Sequence, residues 1–362
     1  MPFFENAVRK GYMSEFKTLI YKGGIMSRKK ISLVIVTLGL CFVLGVSFAS
    51  VCQAASKKIT MQAITAWPKT TFMVQNFMRF MDRVNNRAAE MYPGQFELVY
   101  KGGPEVISFR EQVEAARTGL VDMVFTATSY YTSIIPVGDG FSSSVLKPWD
   151  ERDKGVFAFM QKIHAEKANV YFLSRMGSGI PFQIYANKPV KAVADLKGLK
   201  LRGSPTLIPF LKKVGANPVM MAPGDIYTGL ERGVVDGFVW PAAQISEWGW
   251  ERVTKYVIEP ALPYGAIDVV LVNLDAWKKL PKHIQDLLIY SAKEDEFRTI
   301  VRALEYIPRE NARLQKMGLQ FLELPDAEAK KMADMANAAL WDAVISRDPE
   351  NGPKFREMIS SK

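Results

Sequence analysis

Two kinds of hydrophobic pattern alternate along most of the chain. The segments 59–66 and 96–100 are short and partly alternating, which is typical of β-strands. The segments 72–84 and 109–120 instead repeat apolar residues at helical spacing, and a short apolar run follows them at 121–125. This order of strands and helices predicts an α/β fold with a parallel or mixed sheet, in which binding sites lie at the carboxyl ends of the strands.

A second series of the same kind begins near residue 179. Further short strands are predicted at 183–186, 199–202, 218–221 and 234–239, with helices between them. Pro281 then begins a long helical segment whose apolar stripe includes Val301 and Leu304, and Pro308 is expected to kink or end it. Two such series in 362 residues predict two α/β lobes.

The N-terminal segment has a different pattern. After the basic residues 28–30, an uncharged apolar stretch covers 31–51, and small residues follow it. This pattern predicts a leader over residues 1–54, made of a signal peptide over 26–54 and a stretch 1–25 upstream of the true start. An uncleaved membrane anchor is the alternative, because the apolar stretch is long enough to cross a bilayer. We expect an exported protein that works in the periplasm.

The net charge of +10 is concentrated in this leader. Residues 1–54 carry seven basic and two acidic side chains, which is half of the net charge, and the remainder of the chain has no basic run. A nucleic-acid partner is therefore not expected.

Residues that commonly carry chemistry are scarce. The chain has only 2 Cys, both in the predicted leader, and 2 His, which excludes a disulfide scaffold and a zinc finger. His164 and His283 lie in helical segments rich in Lys and Glu, and we expect them on solvent-exposed faces. The usual nucleophile, metalloprotease, phosphate-loop and dinucleotide motifs are missing, so neither a cofactor nor catalysis is predicted. A hydrolase that uses two carboxylates remains an alternative.

Three segments resemble one known family. The segment 193–202, with the sequence VADLKGLKLR, is similar to the signature of the extracytoplasmic solute-binding subunit of tripartite ATP-independent periplasmic (TRAP) transporters. The segments 111–123 and 214–237 resemble two further blocks of that family, in the same order. The resemblance implies a periplasmic-binding-protein-like clamp of two α/β lobes joined by crossing strands and a long helix. The expected bounds are 55–178 plus 268–308 for lobe I and 179–267 plus 309–362 for lobe II.

The resemblance also implies a function. Members capture a small organic acid in the periplasm and deliver it to the membrane permease subunits of the transporter, and a monomer is expected more than a dimer. An exported ligand-binding sensor that feeds signalling shares this fold and is the main alternative. In relatives that bind a metal together with the ligand, a carboxylate stands at the position of Val239, so we expect no metal here.

The resemblance places Arg202 where the family binds the ligand carboxylate. A guanidinium group offers a rigid fork of donors that matches a carboxylate and keeps its charge. The alternative is that Arg202 pairs with an acidic side chain at a domain edge. Phe182 and Trp240 would then face the ligand, which suggests an acid with an apolar or aromatic tail, unless both are core residues. Weaker candidates at strand ends and loops are Trp67, Ser129, Tyr130 and Tyr264.

Overall fold

The structure is a computed structural model that describes residues 58–360. The predicted leader and both cysteines lie outside the described residues.

Eleven strands in the described part of the chain form two separate sheets. In chain order they are β1 (Ile59–Thr65), β2 (Phe96–Gly102), β3 (Met123–Ala127), β4 (Val170–Arg175), β5 (Phe182–Ala186), β6 (Lys200–Arg202), β7 (Asn217–Val219), β8 (Gly237–Pro241), β9 (Tyr256–Glu259), β10 (Asp268–Asn273) and β11 (Gln320–Glu323).

Each sheet is mixed and forms the centre of one lobe. The first sheet has the order β2-β1-β3-β10-β4 and the second the order β11-β9-β5-β8-β6-β7. In the first, β1 is parallel to β2 and β3, whereas β10 is antiparallel to β3 and β4. In the second, β6 is parallel to β7 and β8, and β5 is antiparallel to β8 and β9. Since β4 precedes β5 and β9 precedes β10, the chain crosses between the lobes at 176–181 and again at 260–267.

Ten α-helices lie in the same described range. They are α1 (Phe72–Met91), α2 (Gln112–Arg117), α3 (Pro148–Asp153), α4 (Val156–Ala168), α5 (Ile208–Lys213), α6 (Ile226–Glu231), α7 (Leu274–Lys279), α8 (Lys282–Lys316), α9 (Asp326–Arg347) and α10 (Gly352–Ser360).

Helix α1 covers one face of the first sheet with its apolar side. Phe77 of α1 stacks on Phe125 of β3 with the ring centroids 4.9 Å apart, and both side chains are fully buried. Burying two phenylalanines in this way contributes about 1.5–3 kcal/mol each. This packing fixes the carboxyl ends of β1 and β3, and the residues that follow these two strands line the site described below.

Helix α8 runs for 35 residues and connects both lobes. Toward lobe I, its Asp295 accepts a hydrogen bond from Arg83 of α1 at 3.0 Å. Toward lobe II, its Glu310 accepts bonds from the backbone and the hydroxyl of Ser246 at 2.9 and 2.7 Å. The chain remains helical through Pro308, so the expectation that this proline could end the helix was wrong. A proline removes one backbone bond, and side-chain contacts on both sides of it hold the helix here.

The last helix packs on lobe I. Phe355 of α10, in the segment that the sequence analysis assigned to lobe II, contacts Phe141 edge-on at 4.9 Å and stacks near Phe159 at 5.9 Å. Phe159 belongs to α4, beside the first sheet. The C-terminal end of the chain therefore returns to lobe I.

The expectation of a solvent-exposed His164 was wrong. Its side chain is completely buried, with Nε2 at 3.0 Å from the Tyr131 hydroxyl and Nδ1 at 2.7 Å from the Met160 carbonyl oxygen. Burial lowers the pKa of His164 to about 4, so the ring is neutral at physiological pH. The Lys- and Glu-rich neighbours belong to the other face of α4.

Candidate ligand-binding site

A cavity lies between the lobes at the carboxyl ends of their parallel strands. Trp67 follows β1 and Ser129 follows β3 in lobe I, while Arg202 ends β6 and Trp240 is the second-last residue of β8 in lobe II. The space between its walls measures about 500 Å³, part of which is open to solvent. The lining residues are Trp67, Met73, Ala127, Ser129, Tyr130, Ser142, Phe182, Arg202, Ser204, Thr206, Trp240, Pro241, Gln244, Ile267 and Asp268.

Six of the seven residues singled out in the sequence line this one cavity. They are Trp67, Ser129, Tyr130, Phe182, Arg202 and Trp240. The seventh, Tyr264, does not line it. Its buried hydroxyl donates a hydrogen bond to the carbonyl oxygen of Ala336 in α9, and its ring meets Phe210 edge-on at 6.2 Å. Tyr264 therefore ties lobe II to α9, a role that a tyrosine after a strand does not reveal in the sequence.

Arg202 is buried without an acidic partner. Only 2% of its side chain is exposed, and both Nε and Nη2 donate to the Met221 carbonyl oxygen at 3.3 Å. Its guanidinium carbon lies 5.0 Å from the centre of the Trp240 ring. Among residues 58–360 no carboxylate lies within 4.0 Å of its nitrogens, so the alternative of an ion pair with a protein acid is not found in this range. A buried charge without a counter-ion is costly, and an anionic ligand would remove that cost.

Aromatic rings form the wall on both sides of Arg202. Trp67 donates from Nε1 to the Tyr130 hydroxyl at 3.1 Å, which fixes the lobe I side of the wall. On the lobe II side, Trp240 packs edge-on against Trp250 with centroids 5.0 Å apart. Phe182 adds a half-buried ring. Flat apolar surfaces of this kind favour a planar or apolar group on the ligand.

Two buried polar atoms in the lining have no hydrogen-bond partner in the described protein. They are Nε1 of Trp240 and Oγ of Ser142, and each belongs to a side chain that is at least 95% buried. An unpaired buried donor costs about 1–3 kcal/mol, so native proteins rarely keep one without a purpose. Both atoms are therefore candidates to bind acceptor oxygens of a ligand.

Asp268 is the one acidic side chain in the lining, and the sequence analysis did not identify it. It begins β10 and is 5% exposed. Burial raises the pKa of its carboxyl to about 7, although the nearby positive charge of Arg175 acts in the opposite direction. Near neutral pH both the protonated and the ionised form of Asp268 are therefore populated. The first can donate a hydrogen bond and the second can only accept one.

A buried ionic cluster lies next to Asp268 in lobe I. Glu296 of α8 accepts from Arg152 at 2.6 and 3.0 Å and from the Ser174 hydroxyl at 3.0 Å. Arg175, which ends β4, lies 3.3 Å from Glu151. The four charged members, Arg152, Arg175, Glu151 and Glu296, join α3, α8 and β4 around the strand that carries Asp268.

A polar bridge connects the lobes beside the cavity. Asp139 of lobe I is fully buried and accepts from the hydroxyls of Thr132 and Thr206, both at 2.7 Å. Arg347 at the end of α9 donates to the same carboxylate at 3.3 Å. Because Thr206 belongs to lobe II and lines the cavity, this contact sets the distance between the lobes at the site.

No group of three or more His, Cys, Asp or Glu side chains within residues 58–360 is placed to hold a metal ion. In the same range, no helix combines the length and apolar character needed to cross a membrane.

Two α/β lobes that meet over a cavity, with a buried arginine in its wall, are the architecture of a two-lobed solute-binding protein. The family model of bacterial extracellular solute-binding proteins of family 7 matches residues 65–348, and the chain belongs to this family. The resemblance to TRAP solute-binding subunits is thus confirmed. The family is periplasmic, binds small organic acids and works with membrane permease subunits.

Individual relatives are distant in sequence but close in fold. A monocarboxylate 2-oxoacid-binding periplasmic protein of a Nostoc species is 29% identical over 247 residues, and the match spans 65% of this chain and 65% of that protein. A Bordetella pertussis extracytoplasmic solute receptor binding pyroglutamic acid has a TM-score of 0.72 at 20% identity, over 84% of this chain and 100% of the receptor. A TRAP periplasmic solute-binding protein of Desulfovibrio salexigens with bound orotic acid has a TM-score of 0.74 at 20% identity, over 84% and 98%.

Proposed function

We propose that this protein captures a small organic monocarboxylate in the periplasm and delivers it to the permease subunits of a TRAP transporter. The observation that carries the proposal is Arg202, a buried guanidinium with no protein carboxylate beside it in the described range. Its fork of donors suits a carboxylate.

The rest of the lining narrows the ligand class. Trp67, Phe182 and Trp240 favour a flat or apolar tail, and the unpaired donors of Trp240 and Ser142 favour acceptor oxygens next to it. The ligands named for the relatives, a 2-oxoacid, pyroglutamic acid and orotic acid, are small acids with an oxo group, and the last two are rings. We therefore infer an oxo acid of compact size.

Capture and delivery follow from the two-lobed architecture. The acid binds to Arg202, and the lobes then close over it by bending at the crossings 176–181 and 260–267. The permease recognises the closed form, so ligand binding shifts the population toward the form that delivers. We further propose export through the signal peptide over 26–54, a monomeric mature chain and binding without turnover.

A panel of organic acids tests this function directly. The mature chain, residues 55–362, is expected to melt several degrees higher with one chemical group of acids, because ligand at about 100 times its Kd adds about 2.7 kcal/mol. The measurement is thermal unfolding followed by calorimetric titration with aliphatic, 2-oxo and aromatic acids.

The amide of each acid is the matched control, since it keeps the shape of the ligand and removes its charge. Absence of a shift with every acid would contradict the proposal. Loss of the acid during incubation, followed by NMR, would instead identify a hydrolase.

Binding should also depend on pH because of Asp268. Its pKa is about 7 owing to burial, and a bound carboxylate adds negative charge to the same cavity, which raises that pKa further. Binding therefore takes up a proton. The affinity should be highest below about pH 7 and fall by up to about tenfold per pH unit above it.

Calorimetric titrations at several pH values, in buffers with different heats of ionisation, measure both the fall and the proton uptake. Asp268→Asn should make the affinity nearly constant over the same range. A wild-type affinity that does not change between pH 6 and 9, about one to two units around this pKa, would contradict the role of Asp268.

A further inference from the structure

A second pocket adjoins the ligand cavity on the outer side of Arg202. Four residues line both, namely Ser129, Tyr130, Arg202 and Ser204, so the two pockets are adjacent and Arg202 borders each of them. The outer pocket is the roomier one: the spaces measure about 830 Å³ and about 500 Å³, each including a part that is open to solvent. A ligand that enters through the outer pocket meets Arg202 at its inner end.

The lining of the outer pocket has positive charge and no negative charge. Arg110 and Arg202 are its ionised residues, and no aspartate or glutamate is among those that line it. The remaining lining consists of Phe109, Ser129, Tyr130, Thr132, Ser133, Gly203, Ser204, Pro205, Met220 and Met221. Burial lowers the pKa of the Arg202 guanidinium, and the nearby positive charge of Arg110 acts in the same direction as a smaller cause. The pocket therefore has two guanidinium groups along its depth, that of Arg110 at the rim and that of Arg202 at the inner end.

Within the described residues, no ion pair of Arg110 with the protein explains its position. It is solvent-exposed, it forms no salt bridge within residues 58–360, and its guanidinium carbon lies 5.3 Å from the centre of the Phe109 ring. An exposed arginine near a second positive charge is electrostatically unfavourable when no anion is present. Charges of one sign around a cleft attract ligands of the opposite sign and raise their association rate.

We propose that Arg110 and the outer pocket form a capture site that binds the carboxylate of an incoming acid transiently and passes it to Arg202. Arg110 acts on the rate of entry, whereas Arg202 holds the bound ligand. This inference rests on the proposed function, since it concerns the same organic acids. It predicts that the two arginines affect different rate constants.

The test is stopped-flow binding of an acid identified in the panel, followed by tryptophan fluorescence, because Trp67 and Trp240 line the cavity. Arg110→Gln should lower the association rate constant by roughly three- to tenfold at low ionic strength and leave the dissociation rate constant unchanged. The difference should shrink at about 0.5 M salt, where charges are screened within a few ångströms. Arg110→Lys should keep most of the wild-type rate.

Lys278→Gln is the matched control. Lys278 is exposed on α7, beyond the end of β10 opposite to Asp268, and it lines neither pocket. Its removal changes the net charge equally and should leave both rate constants unchanged.

The outcomes separate this inference from the function itself. If no acid binds to the wild-type chain, the proposed function fails. If the wild type binds but Arg110→Gln associates at the wild-type rate, or changes only the dissociation rate constant, the capture site is refuted and the function stands.

Discussion

Arg202→Ala is expected to weaken binding of the acid by more than about 100-fold. Two charge-assisted hydrogen bonds from one guanidinium contribute about 1.5–3 kcal/mol each, and 1.4 kcal/mol corresponds to a factor of ten. Calorimetric titration of the variant with the acid identified in the panel measures the loss. Arg202→Lys should recover only part of it, because an ammonium group keeps the charge but loses the fork.

The stability of Arg202→Ala without ligand provides a second, independent test of this assignment. Arg202 is buried without an acid beside it in the described range, so its removal should leave the melting temperature of the free protein unchanged or raise it. Arg232, an exposed arginine of lobe II that lines no part of the cavity, provides the control variant Arg232→Ala. Binding by Arg202→Ala within tenfold of the wild type would contradict the assignment.

Glu296→Ala should cause the largest loss of stability. Its carboxylate is 2% exposed and accepts bonds from Arg152, from Ser174 and from the backbone of Arg175. Removal of one member of a buried ionic group leaves the opposite charge unpaired and costs about 3–5 kcal/mol. The melting temperature should fall by roughly 5–8 °C.

Glu305→Gln on the same helix is the control for this experiment. Glu305 is exposed and forms no salt bridge within the described residues, so its replacement should change stability by less than about 0.5 kcal/mol. Thermal unfolding of the two variants beside the wild type makes the comparison. Equal melting temperatures for Glu296→Ala and Glu305→Gln would show that the cluster contributes nothing measurable.

The features that sequence reasoning could reach are those with a local signal. Arg202 follows a recognisable segment and ends a strand, and Trp67 and Trp240 also lie at strand ends. Because the carboxyl ends of parallel strands share one edge of a sheet, such residues converge even when they are far apart in the chain. This rule brings Arg202 and Trp240 together on the second sheet, whereas Trp67 joins them because the two lobes face each other across the cavity.

The features that sequence reasoning missed depend on contacts between residues that are distant in the sequence. Asp268 reaches the cavity because β10 inserts antiparallel between β3 and β4, a pairing without a local signature. On α8, Val301 and Leu304 were expected on the buried stripe, yet both are exposed. The buried face carries Asp295 and Glu296 beside apolar residues such as Ile300, and arginines from other elements neutralise the two carboxylates. A count of apolar residues does not detect such pairs.

Helix α8 limits how the lobes can move. At 1.5 Å per residue its 35 residues extend for about 52 Å, and it is held by Asp295 on the lobe I side and by Glu310 on the lobe II side. A long helix that is held on both lobes resists their movement apart and permits their rotation about a nearly fixed axis. Closure of the lobes over a ligand is then mainly a rotation of one lobe against the other.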